Sequence, residues 1–159
     1  MKEAIRVVLV DDQELYREGN ALLLDATDDI VVVGEADTGE KALHAIAEAK
    51  PDIVLMDIRM PGMGGIDATR RIVSAHPDIR VIALTIFDLD EYAFGALDAG
   101  ASAFILKSSS PEALIRTVRI VASGEAVVEP RITRQLIDMY TRRIIPMPET
   151  DSEKEEPRR

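Results

Sequence analysis

Asp11, Asp12, Asp57, Thr85 and Lys107 are the residues of this sequence whose types and spacing could do chemistry. Asp11 and Asp12 follow the apolar run Ile5 to Val10, Asp57 follows Ile53 to Met56, Thr85 follows Ile79 to Leu84, and Lys107 follows Ala103 to Leu106. If these runs are strands lying side by side, three carboxylates, a hydroxyl and an ammonium meet at one edge. Carboxylates gathered in one pocket repel each other, which raises some of their pKa values unless a cation sits among them. Few carboxylates, oxygen ligands and room for water suit Mg²⁺. With the metal in place one carboxylate can attack phosphorus, while Lys107 and the metal neutralise charge on the transferring group. Thr85 could donate a hydrogen bond to a phosphoryl oxygen, and a rotamer that depends on phosphate is the basis of a switch.

Each residue also has a plainer reading. Asp12 could cap a helix beginning near Gln13, and a lone Asp57 before Met60-Pro61-Gly62 could simply close a strand. Thr85 alone is more often a strand-end hydroxyl, Lys107 alone a solvated charge, and Phe104 alone a core residue. Their convergence at successive run ends is what favours chemistry.

The elements that must position them can be read from periodicity. Five short apolar runs, the four above and Ile30 to Val33, are nearly continuous rather than alternating, as in parallel strands covered on both faces. Helical spacing separates them: Leu15, Gly19, Leu22 and Leu23; Ala42, Leu43, Ile46 and Ala47; Ile66, Thr69 and Val73; Tyr92, Ala93, Ala96 and Leu97. The last helix has Ser110 as N-cap, Pro111 at its first position, Leu114, Ile115, Val118 and Val121 inside, and Gly124 past its end. Lys50-Pro51, His76-Pro77 and Gly100 stop the others. The fold class expected is α/β, a doubly wound parallel five-stranded (βα)5 sheet of order 2-1-3-4-5, with its site at the carboxyl ends of the strands. The second run ends in Gly34 without a reactive group, as suits an edge strand away from that site.

Composition narrows the function classes. The 159 residues, 47% apolar, suffice for one domain, and the absence of cysteine removes thiolate, disulfide and cysteine–zinc chemistry. A net charge of −10 opposes nucleic-acid binding by this chain alone. The first apolar run is too short and too acidic-flanked for a signal or membrane span, so a cytoplasmic protein without membrane contact is expected. Residues 1–124 form the expected domain, 125–145 a linker with an extra helix carrying Ile132, Leu136 and Tyr140, and 146–159 a charged, disordered tail.

Val-Leu-Val-Asp11-Asp12-Gln, Ile-Val-Leu-Met-Asp57-Ile-Arg-Met-Pro-Gly-Met, Ala-Leu-Thr85 and Ala-Phe104-Ile-Leu-Lys107 together resemble the response-regulator receiver domains of two-component signalling, nearest the NarL/FixJ subfamily. The resemblance spans roughly Ile5 to Val121. It implies the flavodoxin-like receiver fold, Asp57 as phosphoacceptor, and Mg²⁺ held by Asp11, Asp12, Asp57 and the backbone carbonyl of Arg59. It further implies Thr85 and Phe104 as a coupled switch pair, with Lys107 binding the phosphoryl group. A sensor histidine kinase would be the donor, and movement near the fourth helix and fifth strand would alter homodimerisation. The implied protein is a signalling phosphoacceptor, not an enzyme beyond its own phosphorylation and dephosphorylation. Its subfamily usually adds a LuxR-type helix-turn-helix, not found before Arg159, so a fragment is expected, with DNA binding belonging to the absent domain.

Three residues depart from the pattern: Gly64, where Asp is frequent; Asn20, where an apolar residue is usual; and Ser108 after Lys107, where Asp is common. Gly64 and Asn20 are expected not to touch the phosphorylation pocket. Competing readings are a degenerate receiver acting as an interaction module and a phosphatase of the haloacid-dehalogenase type. The second lacks its general acid, since Arg59 stands where the second Asp belongs. A nucleotide or flavin module would want a glycine-rich first turn in place of Asp11-Asp12-Gln13.

Overall fold

The computed structural model describes residues 3–86 and 95–124, together with the backbone of 127–128. Its elements are β1 (Ile5–Val10), α1 (Glu14–Asp25), β2 (Ile30–Ala36), α2 (Gly39–Ala49), β3 (Ile53–Asp57), α3 (Gly65–Ala75), β4 (Arg80–Thr85), a helical stretch over residues 95–98 (α4), β5 (Ala103–Leu106), α5 (Pro111–Ala122) and β6 (Val127–Val128). The strands form one parallel sheet of order β2-β1-β3-β4-β5-β6. The five expected strands occur in the expected order, with β2 at the edge. The sixth, two residues long, was not anticipated: it comes from the stretch read as linker and pairs Val127 with Ala103 and Val128 with Phe104. Gly124, at φ +102°, ends α5 just before it. The helix expected around Ile132 to Tyr140, the tail, and the Tyr92-Ala93 part of the fourth helix lie outside the described residues.

Strand alternation divides the interior in two. Val7, Leu9, Ile53, Leu55, Ile82, Leu84, Ala103 and Ile105 join Leu24 of α1 and Leu114, Val118 and Val121 of α5 in one buried cluster. Val8, Val10, Val54, Met56 and Val81 pack on the other face against Ala42 and Ile46 of α2 and Ala68 and Ile72 of α3. With both faces covered, β3 is buried at every position. The α5 boundaries follow the sequence: the Ser110 hydroxyl accepts a hydrogen bond from the Ala113 N–H at 3.1 Å, and Pro111 opens the helix.

The inward face expected for α1 is corrected by the structure. Leu15 and Leu22 are exposed, at 85% and 76%, whereas Leu24 is fully buried and Tyr16, Asn20 and Leu23 are half-buried. Three consecutive leucines, Leu22 to Leu24, point to different sides of the helix and leave its phase undetermined by periodicity.

Gly65 opens α3 directly against the end of β3. A β-carbon there would lie 2.1 Å from the Asp57 carbonyl oxygen and 2.7 Å from the Ile58 Cα. The Gly65 N–H donates to the Ile58 carbonyl at 3.0 Å, so the segment after Asp57 and the start of α3 are held together as backbone against backbone.

Candidate functional site

Alternation along β1, β3 and β5 places Asp11 and Lys107, just past the ends of β1 and β5, on a common face with Asp57, the last residue of β3. Asp11 continues Val7 and Leu9, Asp57 continues Ile53 and Leu55, and Lys107 continues Ala103 and Ile105, all on the side covered by α1 and α5. The contacts follow: Lys107 Nζ lies 2.7 Å from Asp11 Oδ2 and 3.5 Å from Asp57 Oδ2. Both carboxylates are buried, at 3% and 4% exposure, and Asp12 is exposed beside them. Carboxylate oxygens of the three aspartates lie within 4.8 Å of one another.

The alternative reading of Asp12 as a helix cap is not observed. The N-cap of α1 is Gln13, which makes no side-chain cap bond, and it is Asp11 whose Oδ1 accepts from the Gln13 N–H at 2.9 Å. Arg17 adds a brace that the sequence did not suggest, donating to the Asp11 carbonyl at 2.6 Å and to Glu35 Oε1 at 2.9 Å. The Asp11 backbone is thereby tied to α1 and β2.

Asp57 Oδ1 accepts from the Arg59 N–H at 3.2 Å. Burial pushes the Asp57 carboxyl up to about 7, and the Asp11 carboxylate adds to the rise; Lys107 and the Arg59 N–H oppose it, and a hydrogen bond with Asp12 reinforces it. A group that holds its proton in the fold but releases it when unfolded makes stability fall as pH rises between the two pKa values. Without divalent cation, stability is therefore expected to decline from pH 4 toward pH 7 by about 1–3 kcal/mol. Asp57→Asn should flatten that decline in urea titrations across the range. The same slope in both proteins would show that Asp57 is not its source.

The donor set fits a hard divalent cation. Asp11 Oδ2 is buried with no hydrogen-bond partner, its contact with Lys107 being an ion pair without hydrogen-bond alignment. Asp12, Asp57 and Arg59 line the adjoining cleft of about 170 Å³ with Gln13, Ile86 and Lys107. All the ligand atoms on offer are oxygens, the preference of Mg²⁺.

Thr85 and Phe104 lie toward the other face of the sheet. Thr85 is fully buried, and its carbonyl accepts from the Lys107 N–H at 2.7 Å, coupling the ends of β4 and β5. Phe104 pairs across to Ala83 and is fully buried with Ile58, Ala83, Ala96 and Ala101. By alternation, Thr85 continues Ala83 toward α4, so the two lie on the face opposite Lys107. Sequence reasoning missed Gln13, whose Oε1 accepts from Lys107 Nζ at 2.7 Å, and Tyr16, whose ring centroid is 4.6 Å from that ammonium. Asn20 hydrogen-bonds Tyr16, so the first departure in α1 reaches the site through one intermediary. Helical spacing 13, 16, 20 on one face was the available signal.

The family model for the response regulator receiver domain matches residues 7–119, which include every residue of this constellation. The chain belongs to the response-regulator receiver family. This receiver is 42% identical over 132 residues to the response regulator GacA of Pseudomonas viridiflava, covering 83% of this chain and 62% of that protein. Among solved structures, a LuxR-family response regulator from Aurantimonas sp. SI85-9A1 superposes with a TM-score of 0.81 at 33% identity, covering 87% of this chain and 99% of that one. The receiver domain of the putative response regulator NarL from Mycobacterium tuberculosis gives 0.75 at 37% identity, over 78% and 100%. The receiver is thus of the LuxR/NarL type within two-component systems, and the haloacid-dehalogenase reading is displaced. The chain spans about 62% of the length of the GacA relatives it matches. Among the described residues, no helix is long and apolar enough to cross a membrane.

Proposed function

We propose that this receiver takes a phosphoryl group onto Asp57 from the phosphohistidine of a sensor histidine kinase. The observation that carries the proposal is the setting of Asp57: buried, 3.5 Å from the Lys107 ammonium and within 4.8 Å of two further carboxylates. An Asp57 carboxylate oxygen attacks phosphorus, the P–N bond to the imidazole breaks, and the imidazole leaves with the electron pair and takes up a proton. The Arg59 N–H on Oδ1 orients the carboxylate, and Lys107 answers charge on the phosphoryl oxygens. Mg²⁺ bound by Asp11, Asp12, Asp57 and the Arg59 carbonyl would supply charge neutralisation at the same oxygens.

Thr85 then turns its hydroxyl to the phosphoryl group, and Phe104, packed against Ala96 of α4, follows; the surface around α4 and β5 changes and with it homodimerisation. The receiver is a signalling phosphoacceptor rather than an enzyme with a separate substrate, and cytoplasmic like its kinase partner's catalytic side. By the relatives' example its output is transcriptional, with DNA contacted by a helix-turn-helix unit rather than by these 159 residues of net charge −10.

Intact-mass spectrometry after acetyl phosphate and Mg²⁺ tests the reading. One metal-dependent phosphoryl adduct is expected on the wild type and none on Asp57→Asn. An unlabelled wild type, under conditions that label a control receiver, would leave a degenerate interaction module as the function.

A further inference from the structure

We infer that Gln13 is a positioning residue for Lys107, aiming its ammonium at the phosphoryl position beside Asp57; the inference rests on the phosphoryl-transfer reading above. A lysine ammonium has three N–H donors and no preferred torsion about its last bond. Here its surroundings supply that preference. Gln13 Oε1 accepts at 2.7 Å, Asp11 Oδ2 lies at 2.7 Å, and Asp57 Oδ2 lies at 3.5 Å. The Tyr16 ring closes another side at 4.6 Å. With one N–H committed to Gln13 and one side covered by an aromatic face, the ammonium is held in place with the Asp57 carboxylate 3.5 Å away.

The three neighbours are not equivalent. Asp11 carries a charge, lacks hydrogen-bond alignment to Lys107 and belongs to the oxygens suited to a cation. Gln13 is neutral and is not a member of that carboxylate group. It can hold the ammonium without cancelling its charge, leaving the full attraction for phosphoryl oxygens. Its position makes this use of the side chain specific. Gln13 is the N-cap of α1, where an amide could accept from the first-turn N–H groups, yet it makes no such bond and spans instead to a residue 94 positions away. A passing contact of a surface glutamine is the competing account, since Gln13 itself is exposed; the Lys107 side chain it grips, by contrast, is only 7% exposed.

Gln13→Met removes the acceptor at nearly constant length and, at an exposed position, leaves no cavity. The 159-residue chain and this variant would be compared for the rate of adduct formation from acetyl phosphate and for the dissociation constant of beryllium fluoride with Mg²⁺. One lost hydrogen bond to a charged group corresponds to about a tenfold to hundredfold slower reaction and a similar loss of beryllium fluoride affinity. In a Lys107→Met background, Gln13→Met should have no further effect, because the residue acts only through the ammonium. Unchanged rate and affinity in the single variant would overturn the inference, as would an equal loss in the Lys107→Met background. A wild type that neither forms the adduct nor binds beryllium fluoride would overturn the phosphoryl reading itself, and the inference with it.

Discussion

Lys107→Met is expected to slow adduct formation from acetyl phosphate about a hundredfold, in the range found when one preorganised charge-stabilising group is removed from an active site. It is also expected to lower stability at pH 8 without divalent cation by about 3 kcal/mol, the usual scale for removing one partner of a buried ion pair. Both effects come from one location. Lys107 is the cation found within 4 Å of Asp11 and Asp57 among the described residues, and both of those carboxylates are buried. The two effects separate on adding Mg²⁺, which can answer the carboxylate repulsion from the cleft side while leaving the phosphoryl oxygens without their ammonium. Stability should recover in large part while the rate stays low. Urea denaturation with and without Mg²⁺, beside adduct rates at saturating metal, distinguishes the two; a rate restored together with stability would mean that Lys107 serves the fold alone.

Gly65→Ala should be more damaging than alanine at any other of the described glycines. The added methyl would meet the Asp57 carbonyl oxygen at 2.1 Å and Ile58 Cα at 2.7 Å, both backbone atoms that cannot rotate away. Either α3 retreats, losing the Gly65 to Ile58 hydrogen bond and loosening Ala68 and Ile72 from the core, or the segment from Asp57 to Arg59 shifts. Overpacking of this kind costs about 2–3 kcal/mol. Because the displaced backbone carries both Asp57 and the Arg59 N–H that orients it, phosphorylation should fall even in the folded fraction. A lowered urea midpoint together with a slower adduct rate is the expected pair; a wild-type midpoint would show that the loop between β3 and α3 yields freely.

The carboxylate and ammonium constellation was legible because strand alternation is rigid: once the runs are placed, Asp11, Asp57 and Lys107 must share a face and an edge. The sheet order was legible for a related reason, since right-handed crossovers restrict the arrangements open to repeated βα units. Helical phase is softer information. The leucines of α1 fit several faces, and the inward set of Leu24 with the half-buried Tyr16, Asn20 and Leu23 emerged only from packing against the sheet. Gln13 escaped notice for a different reason: its spacing to Tyr16 and Asn20 marks a shared face, but the partner that gives that face its meaning is 94 residues away. Gly65 was hidden too, because close backbone approach leaves no periodicity, only a glycine among others in Gly62-Met63-Gly64-Gly65. The sixth strand is two residues long, below the length at which alternation can be read.

The most direct test of the central claim is to locate the phosphoryl group. An aspartyl phosphate is an acyl phosphate, so borohydride reduces it to homoserine at the residue that carried it. Labelling the chain with acetyl phosphate and Mg²⁺, reducing it and sequencing its peptides by mass spectrometry should show homoserine at position 57 and at no other aspartate. Homoserine at Asp11 or Asp12 would contradict the account, because it would place the nucleophile on a carboxylate assigned to the cation.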